Sequence, residues 1–264
     1  MKTTAVILAA GKGTRMRSKL PKVLHPVLGR PMVQCVLDVV SPVSDQKPVL
    51  VVGHQSDQVK GAIGEGAHYA LQAEQLGTGH AVQQAKGLLK GNTDLVLVVY
   101  ADMPLLRAET LERLVKRQQI HQGPITMLTV NVEQPRGFGR IIRDGRGQVQ
   151  AIVEEAQATP EQLAIKELNA GVYCFSADWL WQALELIEIS PKGEYYLTDL
   201  VEIAVDQGLH IQTISTDDHS ELIGVNTRVH LAEVTKILQA RINRTWMRSG
   251  VTMAIDDIHV PEEK

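Results

Sequence analysis

Residues 4–22 read Thr-Ala-Val-Ile-Leu-Ala-Ala-Gly-Lys-Gly-Thr-Arg-Met-Arg-Ser-Lys-Leu-Pro-Lys, an apolar run that passes directly into a glycine loop carrying cations. The segment Thr4 to Leu8 is short, partly β-branched and bounded by glycine, so it predicts a strand buried inside a sheet. Gly11 and Gly13 then allow a tight turn with outward N–H groups, and successive N–H donors form a nest that holds phosphate oxygens. Arg15 can fork two donors onto a phosphate, while Lys22, held behind Pro21, can bring a point charge from the far side of the loop. The stretch therefore predicts a nucleotide triphosphate site. It is neither of the two commonest nucleotide motifs: Met16 occupies the third glycine position of G-x-G-x-x-G, and G-x-x-x-x-G-K-[ST] is absent. Glycines after a first strand also serve as plain turns, so the loop needs its surroundings to be read.

The surroundings favour an α/β protein. With 264 residues, 44% of them hydrophobic, the chain can build one large α/β domain, which we favour over two small ones. A formal charge of −3 and the absence of a basic stripe with interleaved aromatics argue against a nucleic-acid partner and for a small molecule. Cys35 and Cys174 are far apart and lack histidines at metal spacing, which disfavours a disulfide framework or a zinc site. The first apolar run is too short for a signal peptide's core, and no segment approaches the roughly 18 apolar residues of a membrane span. A cytoplasmic protein with no membrane contact is expected.

Strand and helix signals alternate from the first strand onward: strands over 4–9, 48–53, 68–72, 94–100 and 124–131, with helices over 32–40, 55–62, 79–89 and 107–119 between them. That order predicts a doubly wound, mostly parallel, Rossmann-like sheet. Val49 to Val52 and Leu95 to Val99 are continuous apolar runs, as central strands covered on both faces require. Between about 135 and 200 glycine-rich hairpin signals and strands over 139–143, 148–153 and 167–175 predict a small β-rich insertion on the sugar side. Helices over 178–188 and 196–207 and a strand at 210–215 follow. A long helix over 227–248 carries Leu231, Val234, Leu238 and Ile242 as one apolar stripe. We expect a body over 1–226, then this helix and a short polar tail over 227–264.

Chemistry concentrates at the ends of the predicted strands. Asp102 closes the most apolar strand, where open α/β sheets place ligands, and its carboxylate can hold Mg²⁺ or cap the next turn. Asn226, just before the long helix, can offer an amide oxygen to the same ion, or can serve as the helix N-cap. One Asp and one Asn suffice, because Mg²⁺ fills its octahedron with water and phosphate oxygens. In Leu71 to Ala81, Gln72 can pair with a pyrimidine's ring amide, with backbone groups of Gly77 and Thr78 completing the reading. Gly139, Glu154 and Asn169, on the later hairpins, can meet sugar hydroxyls and an acetamido group. No residue pattern of a catalytic triad accompanies His80.

Together the segments 8–16, 20–25, 71–81, 100–105, 137–141, 152–155, 167–171, 193–199 and 224–226 resemble the sugar-1-phosphate nucleotidyltransferases, most closely the N-acetylglucosamine-1-phosphate uridylyltransferase domains. The resemblance runs along nearly the whole chain. It implies that Leu8, Ala9, Ala10, Gly11, Gln72, Gly77, Thr78, Tyr100 and Ala101 hold UTP, with Arg15 and Lys22 as catalytic residues on its phosphates. It also implies Mg²⁺ on Asp102 and Asn226, and N-acetylglucosamine-1-phosphate against Gly139, Glu154 and Asn169. Three positions depart from the family: Ala101 and Ala170 replace glycine and threonine, and Ala156 replaces a lysine. These departures leave open another sugar or base, or a non-catalytic nucleotide-sugar binder, and a methyl at 101 is expected to crowd the nucleotide sugar. The left-handed β-helix acetyltransferase of bifunctional family members is not expected here, because no hexapeptide-repeat pattern follows Val260.

Overall fold

The computed structural model describes residues 1–132 and 137–253. The start of the expected insertion at 135 and most of the polar tail lie outside them. β1 (Thr3–Leu8) is buried along its whole length and carries parallel neighbours on both sides. On one side stand β4 (Val49–Val52) and then β5 (His68–Leu71); on the other stands β6 (Leu95–Tyr100). The chain thus crosses from one flank of β1 to the other after β5, which makes the β1/β6 boundary the topological switch point where such sheets bind ligands. The loops after β1 and β6 flank this boundary. Between β1 and β4 run a two-residue ribbon, β2 (Pro26–Val27) with β3 (Arg30–Pro31), and helix α1 (Met32–Val40).

Helices α1, α2 (Ser56–Ile63) and α5 (Ala108–Ile120) contribute to or border one apolar layer, while α3 (Thr78–Gln83), α4 (Lys86–Leu89), α7 (Ala177–Ala183) and α8 (Asp199–Asp206) belong to the other. The expected helix over 79–89 is two short ones, in keeping with two glycines, Gly79 and Gly87, that lower helical propensity. The expected 178–188 helix tightens into a single 3₁₀ turn at Leu184–Leu186, and the 196–207 helix begins at Asp199.

The largest difference from the sequence reading concerns residues 167–175. They form β10 (Glu167–Ser176), which enters the main sheet antiparallel between β6 and β7 (Ile125–Asn131), with β11 (Ile211–Ser215) parallel beyond β7. The sheet is therefore mixed, mostly parallel. β10 serves both cores: Leu168, Val172 and Cys174 pack on one face, Tyr173 and Phe175 on the other. Among the described residues the hairpin β8 (Arg140–Arg143) and β9 (Val149–Val153), with the one-turn α6 (Pro160–Leu163) beside it, branches off this path. The β10–β7 register shifts between Asn169 and Tyr173, and Gly171 there takes φ +75°. A Cβ on Gly171 would stand 2.9 Å from the Tyr100 ring, so the irregularity needs glycine.

α9 (Arg228–Arg248) is capped by Thr227, whose hydroxyl accepts the His230 N–H. Asn226 is thus not the cap. Of the expected stripe only Val234 is buried; Leu231 and Leu238, with Ile237, pack partly against a small cluster around Met16 and Met32, and Ile242 is exposed. Among the described residues no helix is long and apolar enough to cross a membrane.

Candidate active site

The loop after β1 is shaped by contact with Lys22. Gly13 has φ +61°, and a Cβ there would lie 2.5 Å from the Lys22 Cβ, so the glycine lets the loop lie on the lysine stem. Thr14–Met16 makes one 3₁₀ turn, and Met16 is buried beneath it in the cluster that packs on α9. The residue that breaks the dinucleotide motif is an anchor here. Arg15, next to it, lines the main cavity.

The loop after β6 and the segment before α9 meet this turn. The Val225 N–H donates to the Asp102 carbonyl at 2.8 Å, which joins the two segments through backbone alone. Asp102 does not cap α5, whose N-cap is Arg107. Instead its carboxylate Oδ2 lies 2.5 Å from Lys22 Nζ, and the same ammonium donates to Asn226 Oδ1 at 3.2 Å. Arg15 Nη2 donates to that amide oxygen at 3.0 Å. Residues 15, 22, 102 and 226 therefore converge at the switch point. One carboxylate and one amide oxygen around a shared cation form a hard, oxygen-only donor set, which fits Mg²⁺. Among the described residues no group of three or more His, Cys, Asp or Glu side chains could hold a metal.

On the β4–β5 side, the ends of three strands are locked together by backbone. The Ala9 N–H donates to the Val51 carbonyl, and Gly53 fits so closely against Ala10 and Gln72 that a Cβ would come within 2.9 Å of both. Gln72 is buried, and its Nε2 donates to the Gly77 carbonyl at 3.0 Å and lies 3.1 Å from His80 Nδ1. The donor offered to a base in the sequence reading is thus engaged within the chain. Gly77 takes φ +97°, and a Cβ there would meet the Tyr195 carbonyl at 2.5 Å. The Gly79 N–H donates to that carbonyl, the Tyr195 N–H to the Leu76 carbonyl, and the Leu197 N–H to Thr78 Oγ1. Residues 193–199 therefore buttress the 76–79 turn. Burial and the Asp102 carboxylate push the Tyr100 phenol well above its ordinary value, which the Thr78 hydroxyl partly offsets. Leu8 ends β1, its carbonyl accepting the Ala101 N–H at 3.0 Å, and Gly11 is exposed on the loop.

The third side is a cavity of about 1090 Å³ whose walls include Arg15, Asp102, Asn226, Gly139, Glu154 and Asn169. Tyr100 and Ala170 line it too, whereas Ala101 is wholly buried within an apolar cluster. The expected crowding by the Ala101 methyl is corrected accordingly: that methyl packs into the core. The Asn169 N–H donates to the Gly139 carbonyl at 2.8 Å, and its Nδ2 to Tyr173 Oη at 2.7 Å. A smaller cavity of about 460 Å³ adjoins through Gly137 and Glu154, with Ala156 and Lys192 in its walls. Burial raises the Glu154 carboxyl above its ordinary value, and the Lys192 ammonium partly offsets this.

Asp199 is pushed up from 3.8 to about 6, first by burial and then by the carboxylates of Glu202 and Glu154. The folded chain then holds this proton more tightly than the unfolded chain. The associated stability is complete below 3.8 and is lost as pH rises through about 6. Asp199→Asn is expected to melt higher than the wild type above that window and to lose the advantage below it. Thermal melts across the window check this; parallel curves contradict it.

Sequence reasoning passed over Thr227, the Met16 anchor and the pair Arg140 and Glu155, all within or beside the quoted motifs. The nucleotidyl transferase family model matches residues 4–255. The chain is 47% identical to the bifunctional protein GlmU of Enterococcus faecalis over 96% of this chain and 56% of that protein. It is also 47% identical to that of Halalkalibacterium halodurans over 94% and 55%. For that of Bacillus licheniformis it is 46% over 97% and 56%. The chain thus spans about half the length of the curated relatives it matches. A glycine loop, a strand-end carboxylate and a distant amide converging at the switch point, with a family match along almost the whole sequence, place this chain in the nucleotidyl transferase family.

Proposed function

We propose that the chain transfers a uridylyl group from UTP to N-acetylglucosamine-1-phosphate, giving UDP-N-acetylglucosamine and pyrophosphate. The observation that carries this reading is the Lys22 ammonium touching both Asp102 and Asn226, with Arg15 on the same amide oxygen. A phosphate oxygen of the sugar phosphate bonds to the α-phosphorus as the bond from that phosphorus to the bridging oxygen breaks. The nucleophile is already an anion, so the reaction needs no general base, and alignment and charge neutralisation supply the acceleration.

Leu8 to Gly11, Gln72, Gly77, Thr78 and Tyr100 would seat the nucleotide, with Ala101 packed behind them in the core, and Arg15 and Lys22 would stabilise the departing pyrophosphate. Asp102 and Asn226 would hold Mg²⁺, which when bound neutralises charge on the phosphate oxygens. The peptide of Gly139, the Glu154 carboxylate and the Asn169 amide would orient the sugar. The choice of uridylyl and N-acetylglucosamine is supported by the motif series from 8–16 to 224–226. Residues 1–226 would form the catalytic body, working in the cytoplasm.

Pyrophosphate release in Mg²⁺, measured for several nucleotide triphosphates against hexose and hexosamine 1-phosphates, tests the reading. UTP with N-acetylglucosamine-1-phosphate is expected to give the highest kcat/KM. Tight binding of UDP-N-acetylglucosamine without pyrophosphate release from any pair would contradict it.

A further inference from the structure

Arg140 and Glu155 have no role in the chemistry above, yet they join the two walls of the sugar pocket. Arg140 is 3% exposed at the start of β8, and its Nε is buried without a partner. Its Nη1 and Nη2 each lie 3.1 Å from one oxygen, Glu155 Oε2, and Nη1 also donates to the Phe138 carbonyl. The same Oε2 accepts the Gly137 N–H at 3.1 Å. One carboxylate oxygen thus gathers the strand entry at 137–140 and the turn that begins at Glu154. Register ties this to the sheet, since Arg140 faces Val153 on β9 and Leu168 on β10.

The placement is what matters. Arg140 follows Gly139 directly, and Glu155 follows Glu154, so each partner is one residue from a group proposed to contact sugar. A buried cation held by a carboxylate that is 44% exposed is a weak source of stability. The planar guanidinium fork, however, fixes direction as well as distance. We infer that Arg140 and Glu155 are positioning residues that set the spacing between the Gly139 peptide and the Glu154 carboxylate, and so control affinity for the sugar phosphate while leaving the nucleotide side untouched. This rests on the sugar roles proposed for Gly139, Glu154 and Asn169.

Glu155→Ala in the full chain is the informative variant, with Glu155→Gln and Arg140→Lys as milder ones that preserve an acceptor or a charge. Loss of Glu155 is expected to raise KM for N-acetylglucosamine-1-phosphate about 10- to 100-fold, the range for removing a group that orients a ligand-holding residue. KM for UTP should stay within about twofold, and amide exchange at Gly137 should accelerate. Glu155→Gln should fall between the wild type and Glu155→Ala. A lower melting temperature with both KM values unchanged, or an equal rise in both, would overturn the inference by showing a purely structural pair. If the wild type releases no pyrophosphate at all, the proposed function fails. The pair is then judged by equilibrium binding of N-acetylglucosamine-1-phosphate, where undiminished affinity in Glu155→Ala overturns it and weakened affinity sustains it.

Discussion

Asp102→Ala is expected to lower kcat for Mg²⁺-dependent pyrophosphate release on the order of 10³-fold, the upper range for removing one preorganised charge-stabilising group. The fold should survive. The loop is held to the segment before α9 by the Asp102 backbone carbonyl, which the substitution keeps, and the N-cap position of α5 is Arg107, not Asp102. Lys22 retains the Asn226 amide oxygen at 3.2 Å. Steady-state kinetics beside circular dichroism and thermal melts check this. Turnover within tenfold of wild type in a folded variant would remove Asp102 from the chemistry.

Lys22→Met is expected to be the second large loss, about a hundred- to a thousandfold in kcat/KM for UTP. The lysine is in an unusual position, because its ammonium sits between the two side chains that would hold the metal. It is a resident cation competing for the same oxygens. Removing it should therefore have two opposite effects: weaker UTP binding, and tighter binding of Mn²⁺ alone, measured by calorimetry without nucleotide. A double-mutant cycle with Asp102→Ala gives the sharper test. Side chains 2.5 Å apart in one array couple, so the double variant should lose far less than the product of the single losses. Strict additivity, or Mn²⁺ affinity that falls with UTP affinity, would show that Lys22 acts elsewhere.

How much of this was legible beforehand depended on whether the deciding physics was local. The strand at Thr3–Leu8, the apolar runs of β4 and β6 and the carboxylate closing β6 were readable because burial on both faces leaves a continuous apolar signature. β10 was misplaced into the insertion because its partners β6 and β7 lie far away in sequence, and no local pattern states that a strand will enter antiparallel between them. Asn226 was ambiguous for a similar reason. It and Thr227 are both good caps, and only the backbone geometry, with Thr227 extended at φ −137°, decides which residue caps and which side chain is released to Lys22. Arg140 and Glu155 could have been found from the hairpin: with Arg140 opposite Val153, a residue two beyond can fold back over it. The stripe along α9 was extended too far, to Ile242, because periodicity shows which face is apolar but not where its cover ends.

Asp102 and Asn226, brought together from distant parts of the chain, would hold one divalent ion facing Arg15 and Lys22. Crystals grown with Mn²⁺ and a non-hydrolysable UTP analogue, measured at the manganese absorption edge, test it most directly. An anomalous peak is expected within coordination distance of an Asp102 carboxylate oxygen and Asn226 Oδ1, with Lys22 Nζ moved from Asp102 onto a phosphate. A manganese peak elsewhere, with the Lys22–Asp102 pair intact beside the bound nucleotide, would contradict it.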